Sequence, residues 1–253
     1  LVSAIAKSAD HIVTVSESAK QDIMDLLGVP EYRITNTYQS VLIPAKYADK
    51  PEDMVQREIE GTFGLEYKNY YLFWGSIEPK KNIGRLIEGY LASGVAAPLV
   101  IVGAQAWKSK EELKLLYDGN NRSLIQAGPE TRVKPKVIQL SYCPFPLLVS
   151  LIKGAKATVF SSLYEGFGLP VLESMQLGTP VITANTSSLP EVTGEAAILV
   201  NPYDTREIAQ AIRALDADED QRENLAALGR VQAAKFSEAA YRERLSSIYK
   251  RFI

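Results

Sequence analysis

The sequence has almost none of the residues that build metal centres, disulfides or thiol–imidazole pairs. Cys143 is its only cysteine and His11 its only histidine. A single cysteine excludes an internal disulfide and fits a reducing compartment. One Cys and one His cannot make an ordinary zinc site. A Cys143 nucleophile would need His11 as its base, and His11 falls in a different region of the chain. No apolar run is long enough to cross a bilayer. Neither sign of charge dominates: 28 Lys plus Arg stand against 30 Asp plus Glu, a net charge of -2. That balance gives no reason to expect nucleic acid as a partner. The GxxxxGK phosphate loop and the GxGxxG dinucleotide fingerprint are both missing. The opening stretch LVSAIAKSADHIVTV has neither the basic leader nor the long apolar core of a signal peptide. It also lacks an initiator Met and starts in the middle of a pattern, so a fragment of a longer protein is expected.

What is present is an alternation of short apolar runs with helical patterns. Strands are expected at Ile12–Val15, Arg33–Tyr38, Tyr70–Trp74, Leu99–Val102, Val137–Leu140, Ala157–Phe160, Val181–Thr183 and Ile198–Val200. Helices are expected at Ser16–Leu27, Lys80–Ala92, Lys110–Asp118, Pro146–Lys153, Leu169–Leu177 and Thr205–Leu215, with two more after Asp218. Strand then helix, repeated, predicts an α/β fold: a Rossmann-like doubly wound parallel sheet covered on both faces. Residues 1–44 hold only two strands, too few for a sheet of their own. The polar stretch 45–65 reads as a linker, 66–236 as the complete sheet domain, and 237–253 as a C-terminal helix. Such a sheet binds ligands beyond the C-terminal ends of its strands, so the loops there carry the chemistry.

The richest loop is SSLYEGFGLPVLESMQLGTPV, Ser161–Val181. Gly166 and Gly168 let backbone approach a ligand, and Pro170 suits the first helical turn, where a missing N–H costs nothing. Free amides near Leu169 and Val171, with the helix dipole, favour a phosphate. Glu165 and Glu173, eight residues apart, can accept hydrogen bonds from sugar hydroxyls. The plainer alternative is a dipole-complementing Glu173 and a solvated Glu165 in an ordinary strand-to-helix turn. A second loop, Gly75-Ser76-Ile77-Glu78-Pro79-Lys80-Lys81-Asn82, sets two lysines at an expected helix start, against the dipole; a bound diphosphate would resolve that conflict, and a solvated lysine pair is the alternative. Gly103 permits a turn after LVIV, with Trp107 beyond it as a ligand cover or a core cap. Tyr142, in SYCP after VIQL, can offer backbone groups to a base.

Taken together these stretches resemble glycosyltransferase family 4, whose GT-B architecture faces two Rossmann-like domains. GSIEPKKN, LVIVGAQAW, YEGFGLPVLESMQLGTPVI with its Glu-x7-Glu pair, and SSLPEVTGEAAILVNPYDTREIAQAI occur in the family's order. The resemblance covers Tyr70–Leu215 closely. ADHIVTVSESAKQDI and ITNTYQSV look like the end of the N-terminal domain and the crossover. The resemblance implies a retaining enzyme that needs no metal or other cofactor. Glu173 would hold ribose hydroxyls and Glu165 would lie by the donor sugar. Backbone groups of Gly166, Phe167 and Gly168 would meet sugar hydroxyls, the Leu169 amide the diphosphate, and Lys81 the leaving phosphate. Many relatives carry Arg where Ser76 stands, so Lys80 takes part of that role. The resemblance implies a nucleoside diphosphate sugar as donor, with GDP-mannose favoured from the EPKKN style of the loop. The acceptor is a glycan or glycolipid bound by a largely missing domain. The resemblance further implies a cytoplasmic enzyme at the inner membrane face, peripheral membrane association of the full-length protein, and a fragment that is inactive by itself. Tyr241, Leu245, Ile248, Tyr249 and Phe252 of the last helix would then be exposed or pair with another chain. A GT-B-like isomerase, a phosphorylase or a noncatalytic partner-binding module stands as the alternative.

Overall fold

The computed structural model describes residues 2–104, 106, 112–117, 122–127 and 130–252. Three strand groups emerge. A parallel pair joins β1 (Ile12–Thr14) to β2 (Ile34–Asn36) through the helix Glu17–Leu27. The main sheet has six parallel strands: β3 (Tyr71–Trp74), β4 (Leu99–Val102), β7 (Val137–Leu140), β8 (Ala157–Phe160), β9 (Val181–Ala184) and β10 (Ile198–Val200). Between β4 and β7 the chain makes an antiparallel hairpin, β5 (Arg122–Ala127) and β6 (Glu130–Pro135).

The main sheet runs β10-β9-β8-β3-β4-β7. The chain builds outward from β3 in one direction, then returns to the other side of β3 with β8. The topological switch therefore lies between β3 and β8, where an open parallel sheet leaves a crevice at its C-terminal edge. The pairing shows the split. β3 and β4 are paired over four positions, Tyr71↔Leu99 to Trp74↔Val102, but β3 and β8 only over Tyr71↔Ala157 and Leu72↔Thr158. Trp74 and Phe160 fill the gap edge-to-face, with ring centroids 4.8 Å apart.

Every residue of β3, β4, β8 and β9 is buried, as continuous apolar runs in a two-sided parallel sheet require. The helices Ile83–Ser93 and Thr205–Ala217 pack together, as do Glu52–Phe63 with Phe145–Gly154 and Leu169–Gln176 with Glu219–Ala234. The 45–65 stretch, read as a linker, is instead largely helical, at Ala45–Ala48 and Glu52–Phe63. Its Val55 and Ile59 are fully buried in the main core. They are four residues apart on one helical face, and two apolar positions in a polar segment give little periodicity to read. The helix expected at Lys110–Asp118 shows, within the described residues, a 3-10 turn at Lys114–Tyr117. The hairpin Arg122–Pro135 was not anticipated.

The N-terminal segment has its own small core of Ala6, Val29 and Ile34. The C-terminal helix Glu238–Tyr249 lies against that segment: Arg244 Nε donates to the Thr37 carbonyl at 2.6 Å, and Phe252 stacks near His11, centroids 5.5 Å apart. Ile248, expected to be exposed or to pair with another chain, is only 4% exposed within this chain, whereas Tyr249 and Phe252 remain open at 58% and 56%.

Ile59→Ala removes a fully buried side chain at the contact with Phe145–Gly154 and is expected to cost about 2–5 kcal/mol in chemical denaturation. A loss below about 1 kcal/mol would show that the 45–65 stretch behaves as a tether after all.

Candidate functional site

The site is assembled where the loops after β3 and β8 meet. After Trp74 the chain turns through Gly75 and makes a 3-10 turn at Pro79–Lys81 before the helix Ile83–Ser93 begins. Asn82 breaks what the sequence suggested was one helix from Lys80. Its φ of 59° is left-handed, which stops a helix and which Asn tolerates better than most residues. Its carboxamide, buried to 3% exposure, donates to the carbonyls of Ser161 (2.9 Å) and Pro202 (2.7 Å). Lys80 and Lys81 thus precede the helix in a separate turn. The Leu163 amide donates to the Lys80 carbonyl at 2.7 Å, stitching the two loops together.

That stitching brings Lys81 to Glu165. Lys81 Nζ lies 2.6 Å from Glu165 Oε1, with both side chains largely buried. Ser162 Oγ donates to the same carboxylate oxygen at 2.7 Å. The Glu165 backbone is fixed on both sides: its amide donates to Ser187 Oγ, and its carbonyl accepts from Ser188 Oγ, each at 2.9 Å. The glutamate is therefore aimed by the SSLPE loop that follows β9, not left in solvent.

Gly168, with φ of 103°, starts the helix Leu169–Gln176. That backbone conformation favours glycine, and a Cβ there would press on the end of the Leu189 side chain at 2.9 Å. Pro170 occupies the first turn. The first amides of a helix have no partner within it, so those of Leu169 and Val171 are available at this edge. Phe167 is buried at 3%, its ring packed between Tyr38 (6.3 Å) and Phe236 (5.5 Å). Only backbone from 166–168 is left to face a ligand. Gly166 is exposed, with Val15 of the N-terminal segment nearby.

Glu173 lies on the same helix. Its Oε2 accepts from Trp74 Nε1 at 3.2 Å, so both glutamates reach β3 or its loop. Burial raises the Glu173 pKa, and the Trp74 N–H only partly offsets that. Ser76 and Gly103 stand at the same edge. Gly103 is needed for close approach more than for a turn: a Cβ there would fall 1.9 Å from the Gly75 carbonyl oxygen. Tyr142 is 80% exposed beyond β7, two strands from β3, and is not drawn to the Lys81–Glu165 pair. Trp107 lies outside the described residues. Cys143 is buried, and burial pushes its thiol up, which leaves it a poor nucleophile. Among the described residues no His, Cys, Asp and Glu group is arranged to hold a metal. Sequence reading missed Asn82, Ser162, Ser187, Ser188 and Trp74. Small polar residues in loops carry no periodic signal, and Trp74 looked like one more core position.

The raised Glu173 pKa has a definite sign. The folded protein holds this proton more firmly than the unfolded chain, so stability falls as pH rises through the interval above the ordinary carboxylate value and stays lost at neutral pH. Glu173→Gln keeps an oxygen for Trp74 and removes the charge. Its melting temperature is expected to exceed the parent's at pH 7, with the gap closing near pH 4. An equal or lower melting temperature at pH 7 would contradict this.

The chain is similar to known proteins in sequence and in fold. Residues 55–232 match the family described as Glycosyl transferases group 1. The chain is 32% identical over 237 residues to O-antigen chain mannosyltransferase B of Escherichia coli, covering 91% of this chain and 58% of that protein. It is 29% identical over 210 residues to O-antigen chain mannosyltransferase RfbU of Salmonella typhimurium, covering 83% of this chain and 52% of that one. Among solved structures, Anabaena HepE in complex with UDP and glucose superposes with a TM-score of 0.82 at 15% identity, over 98% of this chain and 65% of HepE. The chain thus spans somewhat more than half the length of these two curated relatives. With a family match that spans all six strands of the main sheet and the switch at its centre, the chain belongs to the group 1 glycosyl transferases.

Proposed function

We propose that this chain is the donor-binding half of a retaining, family 4 type glycosyltransferase of GT-B architecture, which transfers mannose from GDP-mannose to a growing cell-surface glycan or glycolipid. The observation that carries the reading is the Lys81–Glu165 pair, 2.6 Å apart at the topological switch beside the Gly168-started helix. A buried cation held by one carboxylate can turn to a second anion when one enters. The nucleotide's diphosphate would be met by Lys81, by Lys80 and by the Leu169 and Val171 amides, with no metal ion required. Stabilising this leaving group is the main electrostatic task of the transfer. The Glu173 oxygen not taken by Trp74 would accept a ribose hydroxyl, and Glu165, released from Lys81, a donor-sugar hydroxyl.

Mannose rests on the named activities of the relatives and on the EPKKN loop; the likeness to HepE supports the fold alone. The acceptor pocket and any attachment to the inner membrane face would belong to the rest of a longer protein. Transfer by this chain alone should be negligible, because such enzymes close two lobes around the substrate.

Calorimetric titration of the chain with GDP, UDP and ADP tests the donor. GDP is expected to bind tightest, about tenfold weaker in Glu173→Ala and weaker still in Lys81→Ala. No response to any of the three in a folded sample defeats the donor-binding reading. Tighter binding of UDP overturns the mannose assignment. A noncatalytic module would tolerate both substitutions.

A further inference from the structure

The opposite edge of the main sheet carries a cavity of about 400 Å³ that the donor site does not use. Lys68 precedes β3, Lys156 precedes β8, and Gly178 and Pro180 precede β9, so it opens at the N-terminal ends of parallel strands, facing away from Lys81 and Glu165. Its other wall is the helix Glu219–Ala234, where Arg222, Ala226 and Arg230 recur every four residues and share one face. Ala226 is small, and that leaves the room.

Four cationic groups converge there, and they are not equally occupied. Lys156 is paired with Asp216 at 2.8 Å. Arg222 Nη1 donates to the Leu215 carbonyl at 2.5 Å, capping the helix Thr205–Ala217. Arg230 lies flat on Gly178, where a Cβ would come within 2.1 Å of its Nη2; Gly178 has φ of 73°. Among the described residues Arg230 has neither an ion pair nor a hydrogen bond. Lys68 is held in a left-handed conformation with φ of 57° while its Nζ donates to the Lys153 carbonyl at 2.5 Å. Desolvation lowers its pKa to about 8, with Arg230, Lys153 and Arg222 adding to the effect and Glu52 opposing it. Lys68 and Arg230 thus stand in one cleft, the first hydrogen-bonded only to backbone carbonyls and the second unpaired among the described residues.

The lining also contains Glu52, Glu219 and Glu223. A bare polyanion would be repelled by them, and a neutral sugar would leave the cations unused. A phosphate on a polyhydroxyl ring uses both: guanidinium and ammonium groups take the phosphate, and carboxylates accept from hydroxyls. We propose that this cavity is a binding site for a sugar monophosphate, formed by Arg230, Arg222 and Lys68 with the three glutamates and separate from the donor crevice. The occupant would touch the helix that packs through Gly229, where a Cβ would fall 3.3–3.4 Å from Met175, on the helix that carries Glu173.

Calorimetry of the chain with glucose 6-phosphate, glucose and inorganic phosphate tests the site. Saturable binding of glucose 6-phosphate is expected, with glucose inert and inorganic phosphate at least about tenfold weaker. Arg230→Gln should weaken it about tenfold, and Ala226→Met, which fills the cavity, should abolish it. Melting temperatures within a few degrees of the parent's would report intact folding without leaning on the donor assignment. Lys81→Ala should leave this binding unchanged. No saturable binding by the parent chain, unchanged affinity in both cavity variants, or loss in Lys81→Ala would each overturn the proposal.

Discussion

The Asn82 carboxamide holds the candidate site together. Two carbonyl groups from different segments, Ser161 at the end of β8 and Pro202 beyond β10, converge on one buried nitrogen. Without a donor these carbonyls would be desolvated and unpaired, which proteins avoid. The cost of leaving them unmet makes the left-handed backbone at Asn82 tolerable. With that clamp closed, Lys81 lies within reach of Glu165. The local strain and the long-range contact are two sides of one compromise.

The Lys81–Glu165 pair follows from this placement and has its own logic. A largely buried ion pair contributes little net stability, because desolvation offsets most of the attraction. Its value lies in readiness. Glu165 is fixed through its own amide and carbonyl by Ser187 and Ser188, and Ser162 steadies its side chain. Lys81 is the mobile partner, with a flexible stem and a point charge. Under the proposed function, an arriving anion would meet a cation already positioned, and the released carboxylate would stay held by its serine contacts.

The six strands of the main sheet were legible because burial on both faces leaves unbroken apolar runs such as LVIV and ATVF. The turn from β8 into the helix Leu169–Gln176 was legible because Gly168 and Pro170 punctuate its start. Other parts were opaque for physical reasons. The helix Glu52–Phe63 buries only Val55 and Ile59, too few to show a period against its charged face. Asn82 looked like the interior of one helix, since its break is enforced by carbonyls 79 and 120 residues away. Gly103 was read as a turn residue, and only the neighbouring strand shows that the Gly75 carbonyl excludes a side chain there. The Glu173–Trp74 contact spans 99 residues and leaves no local trace.

The aromatic group around Phe167 has a mechanical consequence. Tyr38 follows β2 and leads from the N-terminal segment to the sheet domain, and Phe236 sits between the last two helices; their rings are 5.3 Å apart and both touch Phe167. Phe167 belongs to the peptide stretch that can face a ligand. Rotation of the N-terminal segment on the sheet domain must therefore slide these three rings past one another and drag the glycines on either side of Phe167. One aromatic contact thus ties the N-terminal segment, the junction of the last two helices and the glycine-flanked turn together, and a shift in any of the three presses on the other two.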